Sequence, residues 1–249
     1  MILGKILLYK PKYSVKKEGE MLKNNFLNGV YCGKVESAYG LETAINKLPV
    51  KENLFLFFEG LEGDQCADIR HHGGLERALH QYPLEHYAYW QKKYGVNDKW
   101  KAPGMGENLS TEGMTEESVC VGDRYQWGEA IIEVSQPRSP CFKLNERWGI
   151  KNLSVTMQEI SRCGWLYRVI QPGIVSVSEP LQLIEQVPNA MTLREVCDIF
   201  FSDPLNIEGL KKLKMQNKLS QSWMFKVIQR LETNQVENWH FRLHGKAEE

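Results

Sequence analysis

The sequence predicts a mainly β core followed by a small helical module. Between residues 26 and 188, short apolar or alternating segments are separated by turns rich in Gly, Pro, Asp and Asn, which is typical of an all-β barrel or sandwich. After Pro188 the apolar residues instead recur at i, i+3 and i+4, the spacing of amphipathic helices. We therefore expect a β domain at 26–188 and a three-helix C-terminal module at 189–249.

Residues 1–25 form an extension before the β domain. The segment ILGKILLY at 2–9 favours one strand, and the charged stretch KKEGE follows at 16–20. Because Lys5 and Lys10 interrupt the short apolar run, we do not expect a signal peptide. Nothing in the extension suggests a chemical function.

The β domain contains strand-like segments and two predicted helices. The strand pattern is clearest at 29–35, 55–58, 118–121 and 130–134. The first helix is predicted over 80–93, where Leu84, Tyr87 and Trp90 recur at helical spacing and Pro83 lies near the first turn. A second, shorter helix is predicted over 154–162.

Three further helices are predicted in the C-terminal module, over 191–201, 206–214 and 220–231. Each has a Thr, Asn or Ser near its start, residues that cap the free N–H groups of a first helical turn. A module of about 60 residues has little core of its own. We expect it to pack on the β domain or on a partner.

Composition excludes several classes of protein. Lys+Arg and Asp+Glu are matched at 31 each, so no overall field attracts nucleic acid or an anionic membrane. No apolar run reaches the roughly 18 to 20 residues of a membrane span. The six cysteines are scattered without a disulfide-framework spacing, which indicates a reducing compartment, the cytoplasm. Without a CxxC pair or a ferredoxin-like cysteine run, neither a zinc ribbon nor an iron–sulfur cluster is expected.

The first chemically suggestive segment spans residues 59–79. Gly73 and Gly74 directly follow Arg70, His71 and His72, and such glycines let backbone N–H groups approach a bound phosphate. The helix expected downstream would favour an anion as well. The alternative is a plain turn, with Arg77 on the surface and the histidines as solvated or capping groups.

The second segment spans residues 103–113. Gly104 and Gly106 bracket a sharp turn that leads to Glu107 and Asn108. The Asn108 amide offers both a donor and an acceptor, which suits recognition of a heterocycle edge. The alternative is a structural Asn-containing turn between strands.

The third segment, residues 134–144, is the most informative. Pro137 and Pro140 remove backbone donors and fix φ, so Cys141 follows on a rigid turn. Arg138 would favour the thiolate if the two side chains lie close. A thiolate on a stiff loop is a good ligand for a soft, redox-active metal. The alternative is that Cys141 is a small buried hydrophobic residue.

Together these segments resemble the MOSC family, named for the C-terminal domain of molybdenum cofactor sulfurases. The resemblance runs from about Gly29 to the C-terminus and is closest to the bacterial branch that confers resistance to 6-N-hydroxylaminopurine, which also carries three C-terminal helices. The sequence has HQYP at 80–83 where that branch has CHYP, so no role is assigned to His80 or Gln81. The matching motifs are GLEGD (60–64), HGG (72–74), RAL (77–79), YP (82–83), EHY (85–87), GENLS (106–110), GD (122–123) and SQPRSPC (135–141).

The resemblance implies a β-barrel fold, a molybdenum cofactor and Cys141 as the ligand to the metal. It also implies reduction of N-hydroxylated compounds such as 6-N-hydroxylaminopurine to amines. On this hypothesis Cys141 is catalytic, and His72 and Glu107 are the candidates for moving protons. The residues expected to hold the pterin and its phosphate are Arg70, His71, His72, Gly73, Gly74, Arg77, Asn108, Arg138 and Ser139.

Electrons must come from elsewhere, because the sequence has no flavin or nicotinamide fingerprint and no iron–sulfur ligand set. We expect a separate electron-donor reductase. The C-terminal helices could dock it, or could serve only in packing or in a homodimer. Two other functions remain open: a sulfur carrier with a Cys141 persulfide, and a non-catalytic cofactor-binding module.

Overall fold

The computed structural model describes residues 24–245 and shows a sheet-rich fold with several helices. The N-terminal strand predicted at 2–9 lies outside the described residues. The strands are β1 Asn24–Asn25, β2 Leu27–Gly33, β3 Glu36–Ala38, β4 Leu41–Thr43, β5 Lys47–Pro49, β6 Leu54–Phe57, β7 Gly60–Leu61, β8 Leu79–Pro83, β9 Leu109–Thr111, β10 Arg124–Trp127, β11 Ala130–Pro137, β12 Trp165–Gln171, β13 Gly173–Val175 and β14 Leu181–Glu185. The helices are α1 Ile69–His72, α2 Glu85–Tyr94, α3 Phe142–Trp148, α4 Leu153–Glu159, α5 Leu193–Cys197, α6 Ile207–Lys214, α7 Gln221–Thr233 and α8 His240–His244, with a 3₁₀ turn at Leu75–Arg77 and a π turn at Asp198–Ser202.

Nine strands form one large sheet in the order β1-β14-β10-β11-β12-β8-β9-β2-β5. Its pairs are antiparallel except for β8 and β9, which are parallel. Only Phe26 separates β1, at one edge, from β2, next to the other edge. Because consecutive Cα atoms are 3.8 Å apart, the sheet must curl until its two edges approach each other.

The predicted closed barrel is not confirmed, because the ladder of strand pairs over residues 24–245 is open between β1 and β5. Two smaller sheets lie beside the large one. They consist of β13-β6-β7 and of β3-β4.

Most of the predicted strands are present. The segments at 29–35, 55–58 and 130–134 correspond to β2, β6 and β11. The strand predicted at 118–121 is wrong, since this segment makes only an isolated bridge, between Cys120 and Thr192. Its alternating pattern arises because Val119 and Val121 are buried. Their backbone groups bond to the C-terminal module instead of to a strand: the Val119 C=O accepts from the Leu193 N–H, and the Val121 N–H donates to the Met191 C=O.

The helix predicted over 80–93 begins only at Glu85. Residues 80–83 belong to β8, which lies between β12 and β9 and is buried at all five positions. A strand that is buried on both faces lacks the apolar–polar alternation by which strands are predicted. The prediction therefore joined β8 to the helix that follows it. The helix predicted over 154–162 is confirmed by α4.

The three predicted C-terminal helices are present as α5 with its π turn, α6 and α7. Three helices of the described residues were not predicted: the four-residue α1, α3 and the terminal α8. The C-terminal helices share one apolar cluster with the sheet, in which Trp127 and Trp165 from the strands join Phe200 and Trp223 from the helices. The module therefore packs on the sheet, and its division from the β domain at 188/189 stays a prediction.

None of the helices in the described part of the chain is long and apolar enough to cross a membrane.

Candidate functional site

The candidate site lies where β11 ends and β12 begins. After Pro137 the chain turns through Arg138, Ser139 and Pro140, and Cys141 then precedes α3 in an extended conformation with φ −136° and ψ 165°. The Arg138 N–H donates to the Gly164 carbonyl at 3.0 Å, just before β12. This bond extends the β11–β12 ladder by one step and fixes the position of the turn.

The structure brings Cys141 and His72 together across 69 residues of sequence. His72 Nε2 lies 3.4 Å from Cys141 Sγ, and His72 Nδ1 lies 3.5 Å from Asp68 Oδ2. Asp68 also caps α1, because its carboxylate accepts the His71 N–H at 3.2 Å. The Asp68 carboxylate is hydrogen-bonded to the His71 ring, whose Nδ1 lies 3.0 Å from Asp68 Oδ2, and it meets the His72 ring only at ion-pair distance. Asp68 thus places a negative charge beside the imidazole that contacts the thiol.

The surroundings of Cys141 favour its thiolate. Burial by itself raises the pKa of the thiol, since the side chain is only 6% exposed. The hydrogen bond from His72, the charges of His72 and Arg138 and the Lys143 backbone N–H outweigh burial and lower the pKa to about 7. A substantial fraction of the Cys141 thiol is therefore ionised near neutral pH.

Two polar atoms on the strand end and turn that lead to Cys141 are buried and unpartnered. Among residues 24–245, Arg138 Nη1 and Gln136 Oε1 have no hydrogen-bond partner. Burial, together with the charge of Arg138, lowers the pKa of His80 well below its usual value, although the Gly106 and Cys163 backbones lie close enough to bond its ring. Buried polar groups normally have partners, and the Arg138 and Gln136 atoms are suited to the polar groups of a ligand.

Gly164 lies against β8. It adopts a positive φ of +69°, and a Cβ there would lie 2.3 Å from the Gln81 carbonyl oxygen and 3.0 Å from His80 Nε2. A side chain at residue 164 would clash with the β8 backbone, so glycine is required at this position.

The loop at 70–77 forms the cationic edge of the site. Arg70 and His71 are exposed, and Arg77 Nη1 donates to the His71 carbonyl at 2.5 Å. Gly74 has a positive φ of +96° with open space where a Cβ would stand. Arg77 thus braces the loop, and a ligand can approach the Gly74 backbone closely.

Glu107 holds the turn at 103–108. Its two oxygens accept the Tyr87 hydroxyl at 2.5 Å and the Met105 N–H at 2.9 Å. Burial raises the pKa of this carboxyl to about 7, although its hydrogen bonds and the charge of Arg138 oppose the shift. Glu107 lies within electrostatic range of Arg138, but its hydrogen bonds are structural.

Asn108 links strands rather than presenting a free amide. Its Oδ1 accepts the His80 N–H at 3.1 Å, and its Nδ2 donates to the Tyr31 carbonyl at 3.1 Å and to Asp64 at 2.7 Å. Each polar atom of the amide has a protein partner. These contacts support the structural alternative for Asn108, and its role in reading a heterocycle stays a prediction.

Four residues of the site were not predicted: Asp68, His80, Gln136 and Gly164. Asp68 stands four residues before His72, a spacing that places both on one side of a helical turn, and this could have identified it. His80 was set aside because it departs from the family pattern. Gln136 lies inside the SQPRSPC motif, but the sequence does not show that its Oε1 stays unpartnered. Gly164 carries no sequence signal, because its role depends on the close approach of β8.

No group of three or more His, Cys, Asp or Glu side chains that could hold a metal ion occurs in the described part of the chain. A metal at this site would therefore depend on Cys141 together with ligands from a cofactor.

Both the sequence and the structure of this chain are similar to those of known proteins. Residues 68–182 match the MOSC domain family. Protein YiiM of Escherichia coli is 43% identical over 220 residues, which cover 87% of this chain and 97% of YiiM. The crystal structure of YiiM from Escherichia coli superposes with a TM-score of 0.77 at 37% identity, covering 89% of this chain and 98% of that one.

A longer fungal protein is also similar. A protein of Gibberella moniliformis named Reductase is 36% identical over 169 residues, which cover 66% of this chain and 30% of the fungal protein.

Proposed function

Since this chain belongs to the MOSC domain family, in the branch that contains YiiM, we propose that it is a molybdenum-cofactor-dependent reductase that converts N-hydroxylated compounds, such as 6-N-hydroxylaminopurine, to amines. One observation carries the proposal. Cys141, a thiol with a pKa of about 7, lies 3.4 Å from His72 and ends a turn that carries the buried, unpartnered Nη1 of Arg138.

The residues present fit the proposed cofactor. A thiolate is a suitable ligand for molybdenum, which is a soft, redox-active metal in its reduced states, and Cys141 supplies one. Arg138 Nη1 and Gln136 Oε1 would bond the polar edge of the pterin, and Arg70 and Arg77 would attract its phosphate at the exposed edge. When bound, the cofactor supplies two-electron reduction of the N–OH bond.

The protein's own contribution is orientation and protons. Reduction of R–NHOH to R–NH₂ and water consumes two electrons and two protons. We assign the delivery of a proton to His72 Nε2, which points at the thiol while its side chain remains 38% exposed and can exchange protons with water. Asp68 places a negative charge beside this imidazole. Glu107, with both oxygens occupied, is assigned to holding the turn.

The proposal requires a separate electron donor. In the fungal Reductase the aligned region is only 30% of the protein, so most of that chain lies outside the part similar to this one. We propose that an independent reductase supplies the electrons to this protein.

Expression in a host that makes the cofactor, followed by elemental analysis and a reduction assay, tests the proposal. The substrate is 6-N-hydroxylaminopurine with a chemical electron donor. We expect stoichiometric molybdenum and turnover in the wild type, and loss of both in Cys141→Ala. Arg138→Gln should lower molybdenum content several-fold. The matched control is Cys120→Ala, which removes a buried thiol beside Thr192 and should change neither.

Two outcomes would replace the proposal. A protein that lacks molybdenum in this host and carries sulfane sulfur on Cys141 would be a sulfur carrier. A protein that retains the cofactor but does not reduce hydroxylamino compounds would be a cofactor-binding module.

A further inference from the structure

We propose that Arg242, on the last helix of the C-terminal module, is a positioning residue for Cys141. The module would then complete the active site rather than merely pack against it. The part of this inference that concerns catalysis rests on the proposed function, whereas the part that concerns the cysteine turn does not.

Arg242 bonds directly to the turn that carries the cysteine. Its Nη1 donates to the Pro140 carbonyl at 2.6 Å, and its Nη2 donates to Gln158 Oε1 on α4 at 2.7 Å. The guanidinium thus bridges the residue before Cys141 and a helix of the β domain. Its planar fork fits two acceptors at once, which an ammonium cannot match.

The guanidinium is itself held in place. Its Cζ lies 5.8 Å from the ring centroid of Phe201 and 5.7 Å from that of Trp239. Both are cation–π distances. Burial lowers the pKa of Arg242, while Cys163 and Cys141 oppose this shift, which places the guanidinium within electrostatic range of the Cys141 thiolate.

Helix α8 is anchored by contacts with the two helices that follow the cysteine, α3 and α4. The Leu243 carbonyl accepts Asn145 Nδ2 at 2.8 Å and Ser154 Oγ at 3.0 Å. The ring of Phe241 lies 6.0 Å from that of Phe142, the residue after Cys141. Although α8 has only five residues, its position is therefore fixed by α3 and α4.

The bond to Pro140 has a particular consequence. Proline has no N–H, so the carbonyl is its one backbone hydrogen-bonding group. A donor that fixes this carbonyl fixes the peptide plane between Pro140 and Cys141, and with it the direction of the cysteine side chain. Loss of Arg242 would release that plane while leaving the thiol, His72 and Arg138 in the chain.

The first experiment measures Cys141 in metal-free protein from a host that cannot make the cofactor. Iodoacetamide alkylation is followed by peptide mass spectrometry at pH 9.5, where the thiolate predominates whatever small shift a variant causes. Because Cys141 is only 6% exposed, we expect Arg242→Gln to raise its alkylation rate on the order of 3- to 10-fold, the factor that corresponds to loss of one hydrogen bond. Cys66 in the same sample provides an internal reference and should not change.

Two variants separate positioning from general destabilisation. Arg242→Lys retains the charge and can keep one of the two hydrogen bonds. Its Cys141 alkylation rate should therefore lie between those of the wild type and Arg242→Gln. Ser154→Ala removes a contact of α8 that does not reach the cysteine turn, and should leave the alkylation rate at the wild-type value even if it lowers the midpoint of thermal unfolding. In the cofactor-loaded protein, Arg242→Gln should lower molybdenum content by a similar factor, and Ser154→Ala should not.

Wild-type alkylation and wild-type molybdenum content in Arg242→Gln would overturn the inference, and so would equal effects of Arg242→Gln and Ser154→Ala. If Arg242→Gln does not fold, Arg242→Lys decides. An ammonium cannot keep both hydrogen bonds of the guanidinium, so the Cys141 alkylation rate of this variant should exceed the wild-type rate, and a rate equal to wild type would overturn the inference. Should the wild type bind no molybdenum, the proposed function fails, but the alkylation experiment still tests Arg242.

Discussion

The buried carboxyl of Glu107 makes stability depend on pH. Its folded-state pKa is about 7, against 4.5 for an ordinary glutamate. Between these values the folded state retains a proton that the unfolded state releases. The contribution of Glu107 to stability is therefore fully present below about pH 4.5 and is lost as the pH rises through 7. At about 1.4 kcal/mol per pKa unit, the loss is on the order of 3 kcal/mol.

Glu107→Gln should remove this dependence. The free energy of unfolding is measured in urea at pH 5 and at pH 8. Its decrease between the two pH values should be smaller in the variant than in the wild type, by on the order of 3 kcal/mol. The difference between the two proteins matters, because His80 and other groups titrate in both. Equal pH dependence in variant and wild type would show that Glu107 is ionised in the folded protein.

At the same scale, the sequence predicted features that depend on neighbouring residues but not the pairing of residues far apart. Pro137 and Pro140 predicted a rigid turn for Cys141, and the structure places His72 3.4 Å from that thiol. Glu107 and Asn108 also stood in a glycine-rich segment, but the structure commits their side chains to Tyr87, Met105 and the strands. Which polar atoms stay unpartnered depends on contacts across the whole chain, and the sequence does not show them.

Strands β2, β8 and the loop at Asp64 are joined through one side chain, Asn108. Its replacement by alanine would leave the His80 N–H and the Tyr31 carbonyl with one partner fewer in a buried place. We expect Asn108→Ala to lower the free energy of unfolding by about 2 to 4 kcal/mol, from the cost of unsatisfied buried groups.

Chemical denaturation measures this loss, and molybdenum content per folded protein provides the complementary readout. If Asn108 acts only between strands, the folded fraction of the variant should load cofactor normally. Wild-type stability with reduced loading would instead restore its predicted role at the heterocycle.

Among the elements, β8 was the hardest to predict. A strand buried on both faces lacks the alternation that identifies exposed strands. The helices with one polar face, α6 and α7, were predicted with nearly correct bounds. Helices α3 and α8 are five to seven residues long, too short for a periodic pattern to be distinguished from a loop.

At the scale of the molecule, one apolar cluster joins the sheet to the C-terminal helices. Trp223 stacks on Phe200 with ring centroids 3.9 Å apart, and Arg230 lies between the Phe200 carbonyl and Glu237. We therefore expect one cooperative unfolding transition, with coincident midpoints by tryptophan fluorescence and far-ultraviolet circular dichroism.

A separate early transition would contradict this expectation. It would show that residues 189–249 unfold alone and that the division predicted at 188/189 is also an energetic one. The sequence located that division from a change of periodicity, but periodicity does not report which surfaces the two parts share.

The single residue between β1 and β2 has a consequence for synthesis on the ribosome. Asn25 donates to the Leu181 carbonyl, 156 positions later, so β1 cannot join the large sheet until residue 181 has been translated. Contacts of such long range slow folding. Until β14 is synthesised, β1 and β10 keep open strand edges that can pair with other nascent chains. We therefore expect aggregation to be favoured while residues 25 to 181 are being translated.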